Sequence, residues 1–204
     1  MPPAPQDRSP WPMKWIAVAI LVVIIPYTYL TLHYRRPGPA FQPYADLQDR
    51  ANVIRLLGAG YQRITLGAQR PADPLPAASA APTTSATGGL PADLLRTLVQ
   101  QPLLPAEILR VSAAPSASAI LPYAIQFTCT LPDNKEQLAG AELYVKGGEI
   151  LITPDFERLT GGLLTRTREN IILLTVPPGA LKPGRYHITL AGRNTSRAWT
   201  LQVH

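Results

Sequence analysis

Hydrophobic and polar positions follow three different rhythms along this chain. Trp15 to Leu32 (WIAVAILVVIIPYTYLTL) contains no charged side chain, and His33, Tyr34, Arg35 and Arg36 follow it. A bilayer core about 30 Å thick takes roughly 20 apolar helical residues, so the run predicts a membrane-spanning helix over 15–34. Trp11 and Trp15 stand at one end and Tyr27, Tyr29 and Tyr34 towards the other, as interfacial aromatic rings do. Pro26 is tolerated in such a helix. No small-x-small cleavage site follows closely, so the run reads as an uncleaved anchor rather than a signal peptide. Lys/Arg numbers on its two sides nearly tie and do not orient it. Only 14 residues precede it, and this places the N-terminus in the cytoplasm and the rest outside. The expected location is the inner (cytoplasmic) membrane, crossed once.

The second rhythm is helical. Leu47, Ala51, Ile54, Leu57 and Tyr61 recur every three or four residues, while Asp46, Gln48, Asp49 and Arg55 lie off that stripe. Asp46 is an expected N-cap and Gly58 or Gly60 an expected stop. Tyr61 to Leu66 (YQRITL) then reads as a short strand. The stripe has two uses, packing on the chain's own domain or contact with a partner or a second copy. Residues 67–91 hold Pro71, Pro74, Pro76, Pro82 and Pro91 among Ala, Ser and Thr, and read as a flexible linker. Leu94, Leu95, Leu98 and Val99 suggest a short helix after it.

The third rhythm is alternation. Seven strands are expected: Glu107–Ser112, Tyr123–Leu131, Ala141–Lys146, Glu149–Thr153, Asn170–Val176, Arg185–Ala191 and Ala198–Val203. Tyr123, Ile125, Phe127, Cys129 and Leu131 share one face; so do Tyr186, Ile188 and Leu190, and Trp199, Leu201 and Val203. Asn170–Val176 is apolar on both faces and reads as a central strand. Gly147-Gly148 is a hairpin signal. Seven short strands with regular turns in about 100 residues suggest an antiparallel β-sandwich. Leu181-Lys182-Pro183-Gly184-Arg185-Tyr186, ahead of the sixth strand, resembles the tyrosine corner of immunoglobulin-like and fibronectin type III-like domains. There a Tyr at the start of the penultimate strand bonds back to the preceding turn. The resemblance implies an immunoglobulin-like sandwich. Its usual disulfide is missing, since Ile188 holds the position of one cysteine.

The domain organisation expected is therefore a disordered cytoplasmic tail (1–14), a transmembrane helix (15–34), a juxtamembrane amphipathic helix and short strand (35–66), a linker (67–91), and a short helix followed by the sandwich (92–204).

Composition narrows the function. The 204 residues carry a net charge of +6, spread out rather than gathered into a basic patch with aromatics, so nucleic acid is not an expected partner. Cys129 is the single cysteine, which excludes an intrachain disulfide and a Cys-based metal framework. Its place in the alternation makes it a small core hydrophobe. His33, His187 and His204 share no metal-ligand spacing. Asp133, Glu136, Asp155 and Glu157 fall in loop-like stretches, no nucleophile elbow occurs, and Gly88-Gly89 and Gly161-Gly162 are turn or linker glycines. No catalytic, cofactor-binding or metal residue is expected, nor any cofactor. The expected function is a membrane-anchored, non-enzymatic interaction or structural module of the cell envelope. It would touch lipid through 15–34 and a protein partner through sheet edges or the loops 132–137 and 154–162. The alternative is a sandwich that binds carbohydrate or a metal, with Tyr144 as the aromatic platform.

Overall fold

A computed structural model describes residues 12–34, 43–71, 80–161 and 163–204. The tail up to residue 11, the proline-rich exit 35–42, the middle of the Pro/Ala segment (72–79) and Gly162 lie outside the described residues. The chain divides into two compact units, Met1–Pro43 and Tyr44–His204.

In the first unit, α1 (Met13–Tyr34) is a 22-residue helix containing Pro26. At 1.5 Å per residue it is about 33 Å long, the thickness of a bilayer core. It is long and apolar enough to cross a membrane, and Lys14–Thr31 carries that character. The Thr31 hydroxyl donates to the Tyr27 carbonyl oxygen at 2.7 Å, which satisfies a polar group within the helix itself.

In the second unit, α2 (Pro43–Gly58) precedes β1 (Gln62–Gln69), β2 (Thr84–Thr87), α3 (Ala92–Thr97), β3 (Glu107–Ala113) and β4 (Ser116–Ala117). Then come β5 (Tyr123–Thr130), β6 (Glu136–Lys146), β7 (Glu149–Arg158), β8 (Glu169–Val176), β9 (Gly184–Leu190) and β10 (Thr195–Val203). Every expected strand run forms. They do not form a sandwich. The order β10-β3-β5-β8-β1-β6-β7-β9 returns to β10 through the β9–β10 pairing, so eight strands close into a barrel. The residues that overturn the sandwich are those of β1. The sequence pattern set YQRITL apart from the domain, yet Gln62–Leu66 pair with β6 and Gly67–Gln69 with β8. That eighth strand joins two groups of strands that would otherwise end in free edges. Gly67 to Gln69, the start of the expected linker, are thus barrel wall, and Thr84–Thr87 pair with β10.

Closure explains the interior. Inward positions of β5 (Tyr123, Ile125, Phe127, Cys129) meet Ile172, Leu174 and Val176 of β8, Leu143 of β6, Ile150 and Ile152 of β7, and Trp199 and Leu201 of β10 in one buried cluster. A barrel of this strand number is just wide enough for side chains to fill. The Tyr123 hydroxyl donates to the Ala114 carbonyl oxygen at 2.7 Å and accepts from Trp199 Nε1 at 3.4 Å, so both buried rings keep their polar atoms partnered. No strand is central in a closed ring, and β8 accordingly exposes one face: Ile171 points outward and Leu173 is half-buried.

The seam between β10 and β3 is the thin part of the ring, with one parallel pair at Thr195 and Glu107. A shift in the β3–β5 register between Ile108 and Arg110 turns carbonyls outward there. The Arg197 guanidinium donates to the Ile108 and Leu109 carbonyl oxygens at 3.2 and 3.1 Å, replacing ladder bonds with side-chain bonds. Beside it the backbone turns at Gly88 and Gly192 press together, and the Gly89 N–H donates to the Gly192 carbonyl oxygen at 2.8 Å. A Cβ on Gly192 would overlap the Thr195 carbonyl oxygen, and one on Gly88 would overlap the backbone of Arg193 and Asn194. Gly192→Ala and Gly88→Ala are each expected to cost about 1–3 kcal/mol in urea unfolding. Gly58→Ala, at a helical position where a Cβ meets nothing within 4 Å, should be neutral or stabilising.

Candidate functional surface

The outer wall carries a second, smaller core. Tyr144 of β6 and Leu151 of β7 point away from the barrel interior, where Leu56, Tyr61, Leu94, Leu98 and Leu104 cover them. The helix that supplies Leu56 ends in a Schellman motif. Gly60 takes φ +81°, its N–H donates to the Leu57 carbonyl oxygen at 3.0 Å, and the Tyr61 N–H donates to that of Leu56 at 2.9 Å. Gly60 is thus the stop that the sequence allowed. Asp46, the expected N-cap, lies inside α2, which starts at Pro43.

The orientation of α2 corrects the sequence reading. Asn52 and Leu56 face the barrel at 9% and 1% exposure, while Ile54 and Leu57 of the expected stripe are 70% and 61% exposed. One side chain decides this. Leu56, off the predicted stripe, packs with Tyr144 and Leu151, while Ala51, Ile54 and Leu57 of the stripe stand outside and Tyr61 at its end is buried.

Polar groups line a cleft of about 520 Å³ between α2, β1, β6 and β7. Arg63 pairs with Glu142 at 2.9 Å and Asp49 at 3.5 Å. Its guanidinium is held above its ordinary pKa, mainly by the Glu142 hydrogen bond. Asp155 accepts from the Leu103 N–H at 2.9 Å. Burial, with Glu142 and Glu157 nearby, raises its carboxyl against that hydrogen bond. Asn52 Oδ1 and Arg63 Nε are sealed from solvent and unpartnered. This arrangement fastens α2 and the 98–104 segment to the wall.

The residues weighed in the sequence are dispersed. Cys129 is fully buried in the barrel, and burial pushes its thiol up to about 12, far from a reactive thiolate. Tyr144 is 4% exposed beneath α2 and α3, so its ring offers no stacking face to a sugar. Its hydroxyl is pushed up to about 12 by burial. His33 stacks on Tyr29 in α1, His187 is on the outer face of β9, and His204 is at the chain end. Among the described residues no group of three or more His, Cys, Asp or Glu could hold a metal ion. Pro154 to Arg158, read as loop, belong to β7 and pair with Glu136 to Ala141 of β6. The Tyr186 hydroxyl does donate to the Lys182 carbonyl oxygen at 3.0 Å. The corner is real as a local device, and a barrel strand uses it as well as a sandwich strand would. No family model, curated protein or solved structure matches the chain.

Glu136 is the one buried carboxylate that sequence reasoning assigned to solvent. It starts β6 at 2% exposure, with Oε2 unpartnered. Burial raises its carboxyl above the usual range, Asp133 adds to this, and Arg193 and Arg158 oppose it. A raised carboxyl binds its proton more tightly in the folded state. Its stabilising contribution is complete below the unfolded pKa, about 4.3, and is lost as pH rises through the folded value. Glu136→Gln should therefore raise the thermal midpoint by a few degrees at pH 7, with the gain vanishing towards pH 4. Asp155 titrates in the same direction in both proteins, so the difference between the two curves isolates Glu136.

Proposed function

We propose that this chain is a non-enzymatic interaction module of the cell envelope, held in the cytoplasmic membrane by α1 as a single pass. The N-terminus lies in the cytoplasm, and the barrel is presented outside it to a protein partner. The observation that carries this reading is the outward row of α2. Ile54 and Leu57 stand exposed on a helix whose opposite side, Leu56, is fully buried. An apolar row kept on a firmly docked helix is a contact surface by its chemistry. A filled barrel interior supports the same reading, because its volume is given to packing rather than to a ligand. The apolar surface of α1 supports the tether, with Trp15 and Tyr27 to Tyr29 at positions suited to the two interfaces.

Protease added to intact spheroplasts should remove a C-terminal tag and spare an N-terminal one; a protected C-terminal tag contradicts the topology. A photoreactive residue at position 54 should give one discrete protein adduct in cells, while the same group at exposed Gln202 should not. Equal, diffuse labelling from both positions contradicts the contact.

A further inference from the structure

The barrel end that holds Glu136 also carries the loop from Arg158 to Arg168 (RLTGGLLTRTR), which has three arginines and no acidic residue. The base of this loop is pinned at two points. The Leu159 N–H donates to the Lys135 carbonyl oxygen at 2.7 Å, and the Thr165 N–H donates to that of Asn134 at 2.7 Å. The Thr165 hydroxyl doubles the second bond at 3.2 Å, and the Leu131 N–H ties Arg168 back to the wall at 2.9 Å. Pinned in this way, the loop holds Leu163 and Leu164 away from the barrel, each 64% exposed.

Arg158, Arg166 and Arg168 of the same loop are exposed, and none of them is in an ion pair among the described residues. Single exposed leucines are ordinary. Two adjacent ones on a loop with three exposed arginines, which outnumber the flanking Glu157 and Glu169, are a combination that an anionic bilayer surface accepts: apolar tips enter the acyl boundary while guanidinium groups meet phosphate. The opposite end supplies the contrast. Ile120 and Leu121 are also exposed, at 81% and 61%, but residues 114–124 carry no charge at all.

We infer that the described residues of the 158–168 loop form a lipid-contact element, with Leu163 and Leu164 seated in an anionic bilayer surface and Arg158, Arg166 and Arg168 on its headgroups. The inference rests on the reading of α1 as a membrane tether, which keeps a bilayer within the barrel's surroundings. It adds a second, surface-level attachment to the same chain.

The test uses the full chain in vesicles, with an environment-sensitive dye on a cysteine placed at Thr160; the native Cys129 is buried and is not labelled. In phosphatidylcholine containing about one third phosphatidylglycerol, the dye should shift to the blue and be quenched by lipid-borne nitroxide. In phosphatidylcholine alone it should not. Leu163→Ser with Leu164→Ser should abolish the quenching, and Arg→Gln at 158, 166 and 168 should reduce it several-fold, as should high salt. A dye that stays in water in both bilayers overturns the inference. So does one that is protected only in intact cells, which assigns the loop to a protein. Flotation after alkaline carbonate reads the tether separately. Protein lost to carbonate from vesicles that had shifted the dye refutes the tether and upholds the loop contact. Protein retained with an unshifted dye does the reverse.

Discussion

The structure depends on closure of the sheet by β1. Without Gln62–Gln69, β6 and β8 would each end in a row of unpaired backbone groups, and the sheet would have to fold over as two layers or expose an edge. With it, each strand of the ring has a paired neighbour on both sides, most thinly at the β3–β10 seam. There Arg197 and the short strands β2 and β4 supply the missing bonds. The inward side chains then have one shared interior to fill. This accounts for the inward alternation of β5 and β8, and of β10 from Trp199 onward, and for the burial of Cys129, Trp199 and Tyr123 together.

Closure also decides what is left for function. The interior of the eight-strand barrel is packed with its own side chains, which leaves the outer wall, the docked helices and the loops as its exposed surface. Two features of that surface hold apolar side chains out in different ways. The α2 helix is clamped on Tyr144 and Leu151 by Leu56 and displays Ile54 and Leu57. The 158–168 loop is pinned at its base and displays Leu163 and Leu164. In both, hydrogen bonding or packing fixes the frame, and apolar side chains that could have collapsed inward are held out. The bilayer-length helix α1 belongs to the same economy of surface, since its apolar side chains are exposed throughout the described residues.

The strands were legible in the sequence because alternation is local. Tyr123 to Leu131 can be sorted into faces with no knowledge of what they face, and the Gly147-Gly148 turn announces its own hairpin through the φ of +62° at Gly147. Closure was not legible, because it depends on which distant strand takes the open edge. Gln62–Gln69 carries Arg63, Gly67 and Gln69 among its apolar residues and precedes a proline-rich stretch, so it resembles the end of a helix-and-strand extension rather than barrel wall. The orientation of α2 failed for a related reason. Periodicity favoured the longer row through Ile54 and Leu57, but Leu56 is the side chain that packs with Tyr144 and Leu151 of the wall. Glu136 looked like a loop acid until the register of β6 and β7 extended to Glu136 and Arg158 and buried it.

Hydrogen exchange of the full-length chain, resolved to the 62–69 segment, tests closure most directly. If β1 completes the ring, its amides open only with the whole barrel, and residues 64–68 should be protected to the same degree as 125–129 in β5. Exchange of 64–68 within seconds, while 125–129 stays protected, would show that β1 is an extension of the linker and that the barrel is not closed.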